Sequence, residues 1–399
     1  MIENYGNMLV FQREGPIDMD QNTTLFSAFK ALKDPRTERH SSRHLLSDIL
    51  VLTILAVICG ADNWVAVEQF GELKKDWLRL FLKLPHGIPS HDTIGNLFSR
   101  LDPKQLQDCF LRWINELFDF SGGEIIAIDG KTLRGSYDTA TNRPAIHMVS
   151  AWACKNRLVL GQVKTDVKSN EVTAIPELLK KLDLLGSIVT IDAMGCQKKI
   201  AKQIIEQGGD YVFNLKGNQG TLHQDISLFF ESYVDKNQCR KSMVQSTETV
   251  DAEHGRIETR RYWVTEDIQW LTQYKDWVGL KSAGMVEYES IVKTTGEIST
   301  ERRFFIGSIT ADVKKFSEAT RHHWGIENGL HWCLDVGFDE DSCRIRKDNA
   351  PENLAVIRHI ALNLIKQEKT TKIGVKNKRL MAGWDNAYLA KILSANKFD

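Results

Sequence analysis

The sequence has no excess of charge of either sign, no long apolar run and no secretory signal, and each absence excludes a class of protein. Its 399 residues include 52 basic and 52 acidic side chains, so the chain lacks the uniformly basic coat of a small nucleic-acid-binding domain. The longest apolar run, residues 49–59, is too short to cross a bilayer and predicts a buried helix without any membrane segment. The N-terminus lacks a basic start followed by an apolar stretch, so we expect a cytoplasmic protein.

The cysteines also form no recognisable pattern. They are seven in number, scattered and without a C-x-x-C pair, so neither a disulfide framework nor a cysteine zinc site is predicted. With 42% hydrophobic and 26% charged residues, we expect a soluble globular protein of two or three domains, each with its own core. Any DNA contact must be local. Residues 30–44 and 366–379 are rich in bases, although a solvated surface explains either stretch.

The first 120 residues have helical patterning, and the pattern changes after them. Apolar spacing predicts helices over residues 45–59, 64–82, 92–101 and 103–118. At Ser121-Gly122-Gly123 the residue pattern changes from helical spacing to short β-rich runs, which predicts a domain boundary.

The elements that follow predict an α/β fold with a mixed sheet. Strands are expected over residues 124–129, 145–154, 157–164, 187–192 and 210–215, with helices over 171–184 and 197–207. Tightly linked strands are antiparallel, whereas strands separated by a helix are parallel. The order β-β-β-α-β-α-β is the ribonuclease-H-like plan, in which the fourth strand lies beside the first. Asp129 and Asp192 would then be neighbours at one edge of the sheet.

The remaining sequence completes the predicted organisation. Residues 217–309 are expected to form a different, β-rich layer inserted into the fold, and helices return over 312–332 and 353–365. The predicted domains are an N-terminal all-helical domain (1–120), a ribonuclease-H-like domain (121–216 and 310–368), the β-rich insertion (217–309) and a basic C-terminal tail (369–399).

Two aspartates each follow an apolar run. Asp129 follows residues 125–128 and Asp192 follows residues 188–191. Either aspartate alone could simply begin a turn. Their joint placement favours a metal site, because phosphodiester chemistry with two divalent ions needs several carboxylates together and Mg²⁺ prefers oxygen ligands.

Residues 321–332 offer a third acid. Helical spacing puts the following residues on one face: His323, Trp324, Glu327, Asn328 and His331. Such a face is costly to bury without partners, so it is predicted to line a polar site, with a solvated face as the alternative. His323, Glu327 and His331 could instead hold a zinc ion together. That hypothesis leaves the two strand-end aspartates without a role.

Several motifs occur over nearly the whole chain. They are Asp34-Pro35-Arg36 followed by His44 and Asp48-Ile49-Leu50, residues 87–93, Ile128-Asp129-Gly130-Lys131, Asp192-Ala193 and, most specific, residues 323–328 continuing into 330–332 and 334–336. In these motifs the sequence resembles the bacterial insertion-sequence DDE transposases, especially the group of the H-repeat-associated proteins of Rhs loci.

The resemblance implies a function and a set of partners. Asp129, Asp192 and Glu327 would be the catalytic, metal-binding triad, holding two Mg²⁺ or Mn²⁺ ions. The substrate would be double-stranded DNA, namely the terminal inverted repeats of an element and its target, bound by a homodimer associated with the nucleoid. The implied reaction is in-line attack on phosphorus by metal-activated water and then by the freed 3′-hydroxyl, which cleaves and transfers the strand.

The sequence departs from the family pattern around Glu327. Related transposases have a Tyr and an Arg seven and four residues before this Glu and a Lys seven residues after it, where this sequence has Thr320, His323 and Leu334. The phosphate contacts must therefore differ. Candidate DNA-binding residues are Arg321, His323, Asn328 and His331 on the helix and Lys131, Arg134, Lys216, Asn218 and Gln219 past the ends of the first and fifth strands. A solvated loop explains the second set equally well.

Two other functions stay open. One is a ribonuclease-H-like DNA nuclease that hydrolyses without strand transfer. The other is a degenerate transposase descendant that only binds DNA, which the intact acids disfavour.

Overall fold

The computed structural model describes residues 24–36, 43–117, 123–138, 143–165, 171–235, 243–253 and 255–394. The predicted boundary at Ser121-Gly122, residues 37–42 of the first basic stretch and residues 395–399 of the predicted tail lie outside this part of the chain. Its helices are α1 (Thr24–Phe29), α2 (Leu46–Ile58), α3 (Trp64–Leu73), α4 (Lys75–Leu78), α5 (His91–Arg100), α6 (Pro103–Leu117), α7 (Glu171–Leu179), α8 (Lys198–Glu206), α9 (Gly220–Asp235), α10 (Val313–His323), α11 (Ala350–Gln367), α12 (Val375–Trp384) and α13 (Asn386–Ser394). None of these helices combines the length and apolarity needed to span a membrane.

The helices before residue 118 follow the local signals of the sequence. α2 is apolar on nearly all sides and is buried along its length, as expected of a helix enclosed by others. Ser90 accepts a hydrogen bond from the Thr93 amide and caps α5, so the helix predicted from residue 92 begins one residue earlier. The helix predicted over residues 64–82 is instead divided at Lys74, whose backbone leaves the helical region.

The strands form one sheet of nine. They are β1 (Ile125–Leu133), β2 (Ile146–Ala153), β3 (Leu158–Lys164), β4 (Ile188–Ile191), β5 (Asp210–Leu215), β6 (Val244–Asp251), β7 (Arg256–Thr265), β8 (Ser282–Val292) and β9 (Ile298–Gly307), in the spatial order β3-β2-β1-β4-β5-β9-β8-β7-β6. β1 pairs in parallel with β4, and β4 with β5; the other neighbours are antiparallel. The predicted mixed sheet is therefore confirmed.

β1 and β4 are neighbours, as the element order predicts. Ile128 lies opposite Ile191, so the residues that follow them, Asp129 and Asp192, leave the paired region side by side. One expectation was wrong: β1 does not end at Asp129. It continues to Leu133, because β2 is long enough to pair with it that far.

The segment between β5 and α10 is not a separate layer, and this corrects the prediction for residues 217–309. β9 pairs with β5, with Val212 opposite Gly307, so β6–β9 continue the same sheet. Without β9, the backbone of β5 would present an unpaired edge to solvent. The segment also begins with α9, a helix that the sequence patterning did not predict.

Helices cover both faces of the sheet. Successive strand residues point to opposite faces, and Gly130 lies against Glu171 of α7 whereas Asp129 points towards the segment after α10. Further along the sheet, Phe304 contacts His223 of α9 and Phe305 contacts Phe316 of α10. α10 therefore lies on the face to which Asp129 points.

Most of the hydrophobic core of the described residues is a single cluster, with two smaller clusters beside it. One cluster of buried side chains extends from α1 to α13 and includes the strands. At its centre, Asn353 of α11 donates to the carbonyls of Phe98 and Leu101, at 2.8 and 2.9 Å. The N-terminal helices therefore share a core with the sheet, contrary to the expectation of separate cores.

Residues 369–394 are not a basic tail, which corrects a further prediction. They form α12 and α13, and the ammonium of Lys378 lies 3.0 Å from Glu368 in a buried ion pair. Arg379 is also buried and donates to the Val57 carbonyl at 2.7 Å. Lys366 lies over the Trp152 ring. These three bases serve internal packing and do not form a DNA-binding surface.

Candidate active site

One long helix carries the predicted third acid. α10 begins where Asp312 accepts hydrogen bonds from the amides of Lys314 and Lys315, at 3.0 and 3.1 Å. Beyond His323 the helix continues to Phe338 through two π-helical stretches. We call residues 313–338 the site helix. π-Helical turns are wider than α-helical turns and are frequent at functional sites.

Within the site helix, exposure does not follow the face predicted from α-helical spacing. Trp324 is 50% exposed, whereas His331 is only 6% exposed. His331 therefore points into the protein and does not present itself to a DNA phosphate, which corrects one predicted contact.

Asp129, Glu327 and His331 converge between β1 and the site helix. One potential ligand atom from each lies within 4.8 Å of the others, and this is the only such group of three found among the described residues. His331 Nδ1 lies 3.6 Å from Asp129 Oδ2 and 3.5 Å from Glu327 Oε2. Two of the three predicted acids are thus brought together by the fold.

Asp192 lies next to this group but outside it. The register of β1 and β4 places it beside Asp129. Its Oδ1 accepts hydrogen bonds from the amides of Met194 and Gly195, at 3.0 and 3.3 Å. Asp192 therefore organises the loop after β4 while it keeps a second carboxylate oxygen.

The acids at this site have shifted pKa values. Burial raises the pKa of Asp129 to about 7; His331 opposes this shift and Glu327 adds to it. Burial likewise raises the pKa of Asp192. The adjacent His331 imidazole lowers the pKa of Glu327. Bound cations favour the ionised form of a buried carboxylate, so this donor set fits a divalent metal ion.

His323 is bonded to β4 beside Glu327, whose charge partly opposes the effect of burial on the His323 pKa. Its Nδ1 lies 3.0 Å from the Thr190 hydroxyl on β4, and burial lowers its pKa to about 4. His323 is not part of the group formed by Asp129, Glu327 and His331, so the fold does not support the zinc hypothesis. The Nδ1 of His323 joins the site helix to β4, and its role as a DNA contact stays a prediction.

Lys131 is likewise an internal residue, contrary to its predicted contact with phosphate. Its ammonium pairs with Asp335 of the site helix and lies 2.7 Å from Glu340. Glu340 is buried and also lies 3.6 Å from Arg358 of α11. Lys131 therefore joins β1 to the end of the site helix.

The other predicted DNA contacts divide into two groups. Asn218 and Gln219 donate to the carbonyls of Ala193 and Cys196, at 2.6 and 2.5 Å, and so connect the loops after β4 and β5. The remaining candidates are exposed and open to a ligand: Arg134, Lys216, Arg321 and Asn328, although Arg321 also lies 3.0 Å from Asp251.

The partners of Lys131 and His323 were missed in the sequence. A period of two puts Lys131 on the face of Asp129, and Thr190 on the face of Asp192. The sequence could therefore have indicated that Lys131 and Thr190 lie on the faces of the two aspartates. Glu340 had no such signal, because Lys131 and Arg358 come from distant parts of the chain.

Comparisons with known proteins found matches over most of the chain. A family model described as "Transposase DDE domain" matches residues 120–364, and one described as "DDE_Tnp_1-associated" matches residues 26–114. The chain is 43% identical over 356 residues to the Escherichia coli K12 "H repeat-associated putative transposase YhhI", covering 88% of this chain and 93% of that protein. It is 47% identical over 287 residues to an "Uncharacterized protein in dhlA 3'region" of Xanthobacter autotrophicus, covering 71% of this chain and 94% of that protein. A solved synaptic complex of piggyBac transposase with hairpin DNA matches with a TM-score of 0.35 and 11% identity, over 97% of this chain and 84% of that chain.

Proposed function

The chain belongs to the DDE transposase family, and on that premise we propose that it cleaves and joins DNA strands at a site formed by Asp129, Asp192 and Glu327. One observation carries this proposal. Asp129 and Glu327 are remote in sequence, yet their carboxylates converge beside the strand end that bears Asp192.

We assign residues 121–216 and 310–368 to a ribonuclease-H-like catalytic domain. The strand order β3-β2-β1-β4-β5 supports this assignment. Residues 217–309 are an insertion that extends the sheet, and residues 1–120 are the associated DNA-binding region. The continuous core between these parts supports their acting as one unit on DNA.

The three carboxylates suit two divalent ions, Mg²⁺ or Mn²⁺. When bound, such ions generate a nucleophile at neutral pH and stabilise charge on the attacking and leaving oxygens. Asp129 and Glu327 would hold the ions from the strand and the site helix, and Asp192 would hold them from the adjacent strand. His323 and Lys131 fix the site helix against those strands. In-line attack by water and then by the freed 3′-hydroxyl needs no covalent enzyme intermediate.

The substrate is double-stranded DNA, comprising the terminal inverted repeats of an insertion sequence and a target, bound by a homodimer. Arg134, Lys216, Arg321 and Asn328 are exposed, and we propose them as phosphate contacts. Phosphate contacts position DNA without reading its sequence.

A strand-transfer assay tests this function. The substrate is a paired terminal-repeat DNA taken from the sequence that flanks the gene, with Mg²⁺ or Mn²⁺. We expect the wild-type protein to cleave and to join, and Asp192→Asn to lose both steps by at least about 10³-fold, because the ion loses a charged ligand. Asp183→Asn, an exposed change, should be as active as wild type.

The alternatives give different results in the same assay. A pure nuclease would cleave the repeat ends without ever joining them. A degenerate descendant would bind the repeats and do neither. If Asp192→Asn kept its activity, the proposed site would be wrong.

A further inference from the structure

We infer that His331 supplies an imidazole nitrogen to the metal ion held by Asp129 and Glu327, so that this ion has mixed nitrogen and oxygen ligands. The inference rests on the proposed function, since it takes the acidic site as the place where metal binds. It adds a ligand outside the three acids and a preference among metal ions.

The spacing around His331 fits ligands that share an ion. Its Nδ1 lies 3.6 Å from Asp129 Oδ2 and 3.5 Å from Glu327 Oε2, beyond the usual range of about 2.7–3.2 Å for N–H···O hydrogen bonds. Two ligands each about 2.1 Å from one ion, at tetrahedral or octahedral angles, are about 3.0–3.5 Å apart. The imidazole therefore stands at a distance that suits a shared cation better than a direct hydrogen bond.

The burial of His331 points the same way. The residue is 6% exposed, and Nδ1 is the ring nitrogen that faces the two carboxylates. A buried imidazole nitrogen is destabilising without a partner, and an ion bound between the carboxylates would give Nδ1 one. The ring also lies between the two carboxylates, where it can join them in binding one ion.

Asp192 does not fill this position. Its carboxylate lies outside the group of Asp129, Glu327 and His331, and one of its oxygens is used by the amides of Met194 and Gly195. Without His331, an ion between Asp129 and Glu327 would have only two protein ligands at this spacing. The imidazole completes a set of three.

A nitrogen ligand changes which metal is favoured. Mg²⁺ is a hard cation that prefers oxygen ligands. Mn²⁺ also accepts imidazole nitrogen, because it belongs to the first-row series of divalent metals that bind nitrogen ligands. We therefore expect this ion site to bind Mn²⁺ more tightly than Mg²⁺. The contrary hypothesis is a protonated His331 that pairs with both carboxylates and binds no metal.

Pulsed electron paramagnetic resonance of Mn²⁺ bound to the full chain separates these two roles. We expect a ¹⁴N coupling of the size found for directly bound imidazole, and we expect it to disappear in His331→Gln. His147→Gln is the matched control, because His147 pairs with Glu171 on the opposite face of the sheet; its spectrum should keep the coupling. A wild-type spectrum without ¹⁴N coupling would overturn the inference, as would a coupling that survives in His331→Gln.

Metal titration by calorimetry gives a second readout. His331→Gln should weaken Mn²⁺ binding by about 10- to 100-fold, the usual scale for a lost ligand or its support, and Mg²⁺ binding by less than about threefold. Equal losses for both ions would contradict a nitrogen ligand. Circular dichroism without metal shows whether the variant folds. If it does not, the presence or absence of the ¹⁴N coupling in the wild-type protein decides whether His331 binds the ion.

The failure of this inference is distinguishable from failure of the proposed function. Strand transfer by the wild-type protein together with an all-oxygen Mn²⁺ spectrum would overturn only the role of His331. If no Mn²⁺ or Mg²⁺ binds and no strand is cut, both proposals are wrong.

Discussion

Lys131 follows Asp129 by two residues on β1, so both side chains lie on the same face of the sheet. The Lys131 side chain is 12% exposed and contacts Glu340 at 2.7 Å. Burial alone would lower its pKa, but Glu340 and Asp335 outweigh burial and raise it. Lys131 is therefore not available to bind a DNA phosphate. It neutralises a buried carboxylate and ties the site helix to the strand of Asp129.

Lys131→Met should destabilise the protein without changing how DNA binding depends on salt. The change leaves Glu340 buried with Arg358 as its remaining basic partner, and breaking a buried ion pair costs about 3 kcal/mol of unfolding free energy. Because Lys131 does not reach phosphate in this fold, the slope of log affinity against log salt concentration should match wild type. Urea denaturation and fluorescence anisotropy with labelled DNA measure the two quantities.

Arg134→Ala is the matched comparison, since Arg134 is 81% exposed and lies only 3.6 Å from Asp341. Its unfolding free energy should stay within about 0.5 kcal/mol of wild type. If it contacts a phosphate, its salt slope should fall by about one. The opposite pattern, with a reduced slope in Lys131→Met at unchanged stability, would restore Lys131 as a DNA contact.

At the scale of the element, the site helix is fixed close to the sheet from its middle to its C-terminal end. His323 contacts Thr190 on β4, and Asp335 pairs with Lys131 on β1. Between them, two glycines face Trp152 of β2. The lack of side chains there lets the helix approach the sheet, which brings Glu327 and His331 to Asp129.

The two glycines should respond differently to alanine. A Cβ at Gly329 would lie 2.7 Å from Trp152 Cζ2, so Gly329→Ala should force the helix away from β2. Overpacking of this kind costs about 1–3 kcal/mol, and a shift of about 1 Å at a catalytic group can cost about 100-fold in rate. The midpoint temperature of thermal unfolding and the rate of DNA cleavage should therefore both fall.

Gly325→Ala is the control on the same helix. Its Cβ would meet nothing closer than Trp152 Nε1 at 3.7 Å, and alanine is the better helix former. Stability and cleavage should equal or slightly exceed those of wild type. Equal behaviour of the two variants would show that close packing against Trp152 does not position Glu327.

The elements differ in how far the sequence could predict them. β1, β4 and β5 were predictable because each contains a short apolar run, although the end of β1 was not, and their order placed Asp129 beside Asp192 without any knowledge of side-chain contacts. The site helix was predictable in position but not in shape, because nothing in the spacing of its apolar residues indicates the two π-helical stretches. Glu327 and His331 come together as α-helical spacing predicts, whereas Trp324, placed on the same face, is exposed.

At the scale of the whole molecule, α11 joins parts that the sequence presents as separate. Asn353 binds the carbonyls of the helical region, while Asn363 donates to the Val159 carbonyl and accepts from its amide, both at 2.9 Å. Both residues read as ordinary polar positions in an amphipathic helix. Their partners are far away in the chain, so neither the shared core nor the burial of Lys378 and Arg379 had a local signal.

The C-terminal helices close this core through a buried carboxylate whose contribution depends on pH. Glu368 follows α11 and contacts Lys378 of α12 at 3.0 Å and the Tyr388 hydroxyl of α13 at 3.0 Å. Although burial opposes the shift, hydrogen bonds from Thr370 and Lys378 lower the pKa of Glu368 to about 2 from an ordinary 4.5. A folded-state pKa below the unfolded value means that this stabilisation is fully present above about pH 4.5. It is lost as the pH falls towards 2.

Glu368→Gln should therefore lower the unfolding free energy at pH 7 by about 3 kcal/mol, the scale of a broken buried ion pair, and by progressively less below pH 4.5. Urea denaturation between pH 7 and pH 3.5 measures this difference. Glu352→Gln is a control of opposite sign, because burial raises the pKa of Glu352 and its charge at pH 7 opposes folding. That variant should be as stable as wild type or more so at pH 7. A difference between Glu368→Gln and wild type that stays constant down to pH 3.5 would show that the ionised carboxylate does not hold α12 and α13 to the core.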